Sequence, residues 1–253
     1  MAHSLQNTTA LVTGGGIGIG QAIALGLAAE GSRVAISYRS HAPEGDFLSQ
    51  LESLSGQKPL ALQLDATNEA EVEAAVAQVA TEFGTINILV NNVGGLIERS
   101  PIAEMSHSLW SEVVAVNLDS MFLTTRYALA VMNADGGRII NIASLAGRNG
   151  GHAGATAYAS TKAAIFGFTR GLAKELGPSG TTVNAIAPGF IEATPFHDRF
   201  TSADSKAATI ATIPVGRAGT PEDVASAATW LASPTASFVS GIVLDVNGAQ
   251  YFG

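Results

Sequence analysis

Residues 9–31 read TALVTGGGIGIGQAIALGLAAEG, and this stretch decides the fold. A short β-rich apolar run, Thr9–Val12, passes directly into Thr13-Gly14-Gly15-Gly16-Ile17-Gly18-Ile19-Gly20, and a helical pattern over Ile19–Glu30 follows at once. Glycines allow a tight turn and a close backbone approach to an anion. The start of the following helix offers unpaired N–H groups and the positive end of its dipole. Strand, glycine turn and helix in this order predict a pyrophosphate-binding unit, with Gly14, Gly18, Ile19 and Gly20 against the ligand.

Outward from this unit, short apolar runs alternate with longer stretches of helical spacing. Strands are predicted at Thr9–Val12, Val34–Ser37, Leu60–Leu64, Ile88–Val90, Arg138–Ile142, Thr182–Ile186 and Ile242–Val246. Helices are predicted at Ile19–Glu30, Phe47–Leu54, Glu69–Phe83, Leu109–Met132, Ala157–Leu176 and Pro221–Leu231. The expected fold is α/β: a doubly wound, seven-stranded parallel sheet forming one domain over residues 1–253. Ligands of such sheets sit beyond the carboxyl ends of the strands. Phe190–Thr212 breaks the rhythm without a clear strand and is expected to be a substrate lid.

Composition narrows the function. Charged residues are only 13% of the chain and apolar residues 47%, which favours burial of surface in an oligomer. A net charge of −8 provides no basic stripe for a phosphate backbone, so no nucleic-acid partner is expected. With no cysteine, disulfides, thiolate catalysis and soft zinc sites are excluded, and the histidines at 3, 41, 107, 152 and 197 have no i, i+4 pairing; no metal site is expected. MAHSLQNTTA lacks a signal-peptide core and no run is long enough to span a bilayer, so the expected location is cytoplasmic, with no membrane partner.

The second strand ends Ser37-Tyr38-Arg39-Ser40, where a dinucleotide fold places its adenine ribose. An acidic residue there would accept bonds from a 2′-hydroxyl and repel a 2′-phosphate. Arg39 with the Ser37 and Ser40 hydroxyls instead suits the phosphate, which predicts NADP(H) as the preferred cofactor and NAD(H) as the alternative.

Tyr158 and Lys162 stand at i, i+4 on a helix and face the same side. A phenol with a pKa near ~10 is a poor base at neutral pH. A nearby ammonium favours the phenolate and makes proton transfer feasible. Ser144 lies at the carboxyl end of the fifth strand, where its hydroxyl could hold a substrate oxygen, and Asn117 is an amide inside a helical run.

Taken together, these motifs identify the chain as resembling the short-chain dehydrogenase/reductase family, close in pattern to its 3-oxoacyl-carrier-protein reductases and glucose dehydrogenases. The likeness covers nearly the whole chain: Thr13 to Gly20, Asp65 after the third strand, Asn91 to Gly94, Asn117, Ser144, the Tyr158/Lys162 pair, and Pro188-Gly189. The resemblance implies a Rossmann fold with Tyr158 as general acid/base, Ser144 orienting the carbonyl, Lys162 binding the nicotinamide ribose and tuning the phenol, and Asn117 holding a relay water. It implies that Asp65 contacts the adenine with Ala66 beside it, that Asn91 and Gly94 meet the cofactor's middle, and that Pro188, Gly189 and Ile191 meet its nicotinamide side. Thr194 stands one place later than the family's phosphate-contacting threonine. Two further departures are Val93 in place of the usual alanine and Ile17 where many NADP(H)-preferring relatives carry a basic residue.

The pocket is expected to be lined by Ser144, Arg148, Asn149, His152, Phe190, Phe196 and His197, which suit a polar, sugar-derived or keto-acid carbonyl or alcohol. A homotetramer is expected, with Leu109–Met132 and Ala157–Leu176 pairing across two-fold axes and Val243–Phe252 forming a second interface. The alternatives are an NAD(H)-dependent sugar or hydroxy-acid dehydrogenase and a non-catalytic dinucleotide-binding sensor.

Overall fold

Seven parallel strands form one sheet in the order β3-β2-β1-β4-β5-β6-β7. The computed structural model describes residues 4–40, 42–43, 45–133, 136–192 and 203–253. The strands are β1 (Thr9–Val12), β2 (Arg33–Tyr38), β3 (Leu60–Gln63), β4 (Ile88–Asn91), β5 (Arg138–Ile142), β6 (Thr182–Pro188) and β7 (Val243–Val246). The helices are α1 (Gly18–Ala29), α2 (Gly45–Ser55), α3 (Glu69–Phe83), α4 (His107–Val114), α5 (Ser120–Leu129), α6 (Ala146–Asn149), α7 (Thr156–Leu176), α8 (Ala203–Ile210) and α9 (Pro221–Ala232).

The central strands are buried on both faces, which is why they read as continuous apolar runs rather than alternating ones. One face packs Val12, Ile36, Val90 and Ile140 against α1 and α9 through Ile23, Leu27, Val224 and Leu231. The other packs Leu11, Leu89, Ile139 and Val183 against α3, α5 and α7 through Val76, Leu123 and Leu172. Because β1 lies between β2 and β4, the crossovers leaving β1 and β4 diverge to opposite faces. A crevice opens at the carboxyl ends of these strands.

One predicted helix needs correction. Leu109–Met132 was expected as a single α-helix, but α4 and α5 are joined by a π turn at Ala115–Asp119, and α5 ends at Leu129. A π turn inserts one extra residue and rotates the side chains after it relative to an unbroken helix. Asn117 sits in that turn. The segment expected as a lid holds α8.

Candidate active site

At the carboxyl ends of the strands lies a cavity of about 670 Å³. It runs from Arg39 and Asp65, past the glycine turn, to Ser144, Tyr158 and Lys162. Gly14, Gly18, Ile19 and Gly20 line it as the turn's spacing predicts. The α1 N-terminus has no side-chain cap and no acidic residue in its first turn, so its N–H groups face the cavity available to an anion. Gly20 is required by sterics: a Cβ there would collide with the Gly14 carbonyl oxygen and come within 2.5 Å of Asn92 Nδ2.

Ser144 follows β5 and its Oγ accepts from the Ala146 N–H at 3.1 Å, which leaves the hydroxyl proton directed elsewhere. Tyr158, in the first turn of α7, is hydrogen-bonded to Ser144. Burial pushes the phenol above its ordinary value, and the Ser144 bond opposes that shift. One helical turn on, Lys162 is buried and its Nζ donates to the Ile142 carbonyl at 2.9 Å. The ammonium lies 5.7 Å from the Tyr158 ring centre, and burial pushes it down to about 8.

Asn117 is also buried, yet its side chain does not line the cavity. Its Nδ2 donates to the Gly95 and Val113 carbonyls, each at 2.8 Å, and its Oδ1 accepts from the Gly95 N–H at 3.1 Å. Both amide protons are therefore committed, and the side chain clamps the loop after β4 rather than presenting a donor to a water. Gly94 completes this floor, since a Cβ there would stand 2.7 Å from Asn117 Oδ1 and 2.9 Å from Lys162 Nζ.

At the far end, Ser37, Tyr38, Arg39, Asp65 and Ala66 line the cavity, but Ser40 does not. Ser37 is buried and its Oγ accepts from the Gly14 N–H at 3.1 Å, so it supports the turn. Asp65 Oδ1 accepts from the Thr67 N–H and hydroxyl at 2.9 and 2.7 Å, and these bonds with the nearby Arg39 charge hold its carboxyl below the usual range. Pro188, Gly189, Phe190 and Ile191 line the catalytic side, together with Asn149 and His152.

Two predicted positions are corrected. Asn91 points into the interior, where its Nδ2 donates to Thr125 Oγ1 and Asn141 Oδ1, each at 2.9 Å. Its neighbour Asn92 lines the cavity and donates to the Thr13 and Gly14 carbonyls. Arg148 turns away from the cavity onto β7: its Nε and Nη2 bond to Asp245 at 3.3 and 3.2 Å, and its guanidinium lies 4.8 Å above the Phe166 ring. Thr194, Phe196 and His197 lie outside the described residues. Sequence reasoning missed Ile97, Arg99 and Gln250, which line the cavity from segments that carry no motif.

Comparison with known proteins agrees with this geometry. Residues 15–249 match the family model described as Enoyl-(Acyl carrier protein) reductase. The chain is 38% identical over 252 residues to a 3-oxoacyl-acyl-carrier-protein reductase FabG of Vibrio cholerae, covering 98% of this chain and 99% of that protein. It is 37% identical over 254 residues to the FabG reductase of Escherichia coli K12, with the same coverage. A dehydrogenase/reductase from Sinorhizobium meliloti 1021 superposes with a TM-score of 0.90 at 34% identity, covering 99% of this chain and 98% of that one. A short-chain dehydrogenase from Burkholderia cenocepacia J2315, solved in complex with NADP, gives 0.87 at 32% identity, covering 98% and 99%. Two different acyl-carrier-protein reductions appear in these descriptions, so what they share is the fold and the oxidoreductase class rather than one substrate. With nearly the full length matched and the Ser144, Tyr158 and Lys162 cluster assembled at the carboxyl ends of a parallel sheet, this chain belongs to the short-chain dehydrogenase/reductase family of oxidoreductases.

Proposed function

We propose that the protein interconverts a ketone or aldehyde and an alcohol with NADP(H), using Tyr158 as general acid and base. The observation that carries this reading is the joining, in one cavity, of the Ser144-bonded Tyr158 hydroxyl and buried Lys162 with the open N-terminus of α1. The cofactor fits the chain: the glycine turn and helix N-terminus would hold the pyrophosphate, Asp65 and Ala66 the adenine, and Lys162, Pro188, Gly189 and Ile191 the nicotinamide ribose and ring. When bound, it supplies the hydride.

The protein's own residues move and place the proton. Ser144 donates to the carbonyl oxygen and fixes its position, and Tyr158 delivers its proton to that oxygen in reduction or removes one in oxidation. Lys162 favours the phenolate electrostatically, against the burial that favours the neutral phenol. Asn117 maintains the Gly94-Gly95 backbone beside Lys162.

Arg39 at the end of β2, with no carboxylate on that strand end, supports NADP(H) over NAD(H). The NAD(H) reading is favoured by one observation: Ile17, 55% exposed at the cavity, offers no second cation. A cytoplasmic homotetramer with a lid over residues 190–212 completes the proposal. Exposed Trp110 and Phe122 on α4 and α5, and Phe238 and Phe252 near the C-terminus, support two association surfaces.

Following NADPH and NADH oxidation across a panel of ketones and aldehydes tests the reading. NADPH-dependent reduction of at least one is expected; tight NADPH binding without turnover on any would favour a sensor. Light scattering that finds only single chains at micromolar concentration would remove the tetramer.

A further inference from the structure

We infer that Arg99 anchors an anionic group on the substrate, so that the ketone or alcohol carries a carboxylate or a phosphate. This rests on the carbonyl-reductase reading above and names its substrate class. Among the described residues, the charged or titratable cavity-lining side chains besides Tyr158 are Tyr38, Arg39, Asp65, Arg99, His152 and Lys162. Tyr38, Arg39 and Asp65 belong to the adenine end and Lys162 to the catalytic floor. Arg99 and His152 remain at the catalytic end, where no carboxylate among the described residues lines the cavity.

The position of Arg99 is built by the backbone. On one side Asn117 clamps Gly95 through two hydrogen bonds. On the other, the Ser100 N–H donates to the Gly154 carbonyl at 3.0 Å. Between them the Glu98 N–H closes onto the Leu96 carbonyl at 2.8 Å, an i to i+2 turn that forces Ile97 to φ +64°. A β-branched residue rarely adopts that conformation, and strained residues of this kind persist where surrounding structure imposes them. Ala155, next after Gly154, caps α7, and Tyr158 follows three residues later, roughly 4.5 Å along the helix axis. Arg99 is therefore delivered to the rim one turn before the catalytic tyrosine.

Its charge is left for a ligand. Among the described residues Arg126, Arg148 and Arg217 pair with a carboxylate and Arg33 and Arg138 each donate to two backbone carbonyls, whereas Arg99 makes one hydrogen bond, from Nη1 to the Ala153 carbonyl at 3.3 Å. A guanidinium has five N–H donors in a planar fork suited to carboxylate or phosphate. Arg99 is half-buried and lines the cavity, so the rest of that capacity is open to a ligand there.

Matched short ketones ending in a carboxylate, a phosphate or a neutral methyl ester test the inference through kcat/KM with NADPH. Wild type is expected to prefer at least one anionic form over its ester by roughly tenfold or more, the scale of a charge-assisted hydrogen bond. The two anionic arms identify which group is recognised. Arg99→Gln should bring the preference close to unity, chiefly through KM, and Arg99→Lys should retain part of it. Lys174→Gln, on the exposed end of α7, controls for net charge and should leave the preference intact. Equal use of esters and anions by wild type, or an undiminished preference in Arg99→Gln, overturns the inference while leaving carbonyl reduction standing. Failure to reduce any of the three classes, or any member of the broader ketone panel, overturns both.

Discussion

The two ends of the cavity are built differently. At the catalytic end the three groups around Tyr158 are tied to other elements: Lys162 of α7 to β5, Asn117 of the π turn to the loop after β4, and Tyr158 of α7 to Ser144 beyond β5. At the adenine end buried Ser37 is tied to the glycine turn, but the groups nearer the surface are held lightly: Asp65 by Thr67 two residues on, and Arg39 exposed at a strand end. Cross-linked, buried groups are preorganised and intolerant of change, whereas an exposed side chain with local supports can be exchanged. The chemistry should therefore be hard to alter and the cofactor preference easy.

The sharpest way to break this contrast is Tyr158→Phe, which keeps the ring and removes the proton. Turnover at saturation should fall by ~10²–10⁴-fold while NADPH affinity, measured by fluorescence titration, stays within about twofold. More than a tenth of wild-type turnover in the variant would show that the catalytic end is not organised around this phenol. At the other end, Tyr38→Asp with Arg39→Ala should reverse the ratio of kcat/KM for NADPH and NADH, a change of roughly ten- to a hundred-and-fifty-fold, with maximal turnover preserved. Collapse of turnover with both cofactors would make the adenine end as rigid as the catalytic one.

A smaller effect sharpens the comparison through pH. Below pH 8 Lys162 carries its charge in both the folded and unfolded chain, and the cofactor-free fold bears the whole cost of burying it. From about 8 to the ordinary value of 10.5 the unfolded chain binds more protons, so this group's contribution to stability rises with pH. Tyr158, raised by burial, adds the opposite trend only above its ordinary 10.0. Thermal unfolding of wild type and Lys162→Met between about pH 7 and 10 should therefore show the difference in Tm moving in favour of wild type by a few degrees. A difference independent of pH would mean that the lysine is not held in a desolvated site.

The smallest effect is expected from Arg148→Ala, which lies outside the cavity. Loss of the Asp245 pair and the Phe166 contact should lower Tm by a few degrees and leave kcat/KM within about twofold. A larger kinetic loss would place Arg148 in substrate binding after all.

The elements were largely legible because buried parallel strands and amphipathic helices leave strong periodic signals. Tyr158 and Lys162 were legible for the same reason, since a helix converts their spacing into adjacency. The misses follow from geometry that spacing does not encode. A π turn inserts one residue without any compositional mark, so the orientation of Asn117 could not be read. Strand alternation does contain the signal that separates Asn91 from Asn92: Asn91 shares a face with Leu89 and points inward, and its successor points to the cavity. Arg148 and Arg99 exchanged places because their directions are set by distant partners, Asp245 in one case and the Ala153 carbonyl in the other.

The buried amides also act as a gauge of strand alignment. Asn91 and Asn141 are directly paired positions of β4 and β5, and Asn141 Nδ2 donates onward to Thr169 Oγ1 of α7 at 3.0 Å. A slip of one residue between these strands would turn the two amides to opposite faces and strand their donors in hydrocarbon. Apolar strands that could otherwise slide past one another at little loss of burial thus carry a built-in check on assembly, placed on the two strands whose ends must deliver Gly94 and Ser144 to the same spot.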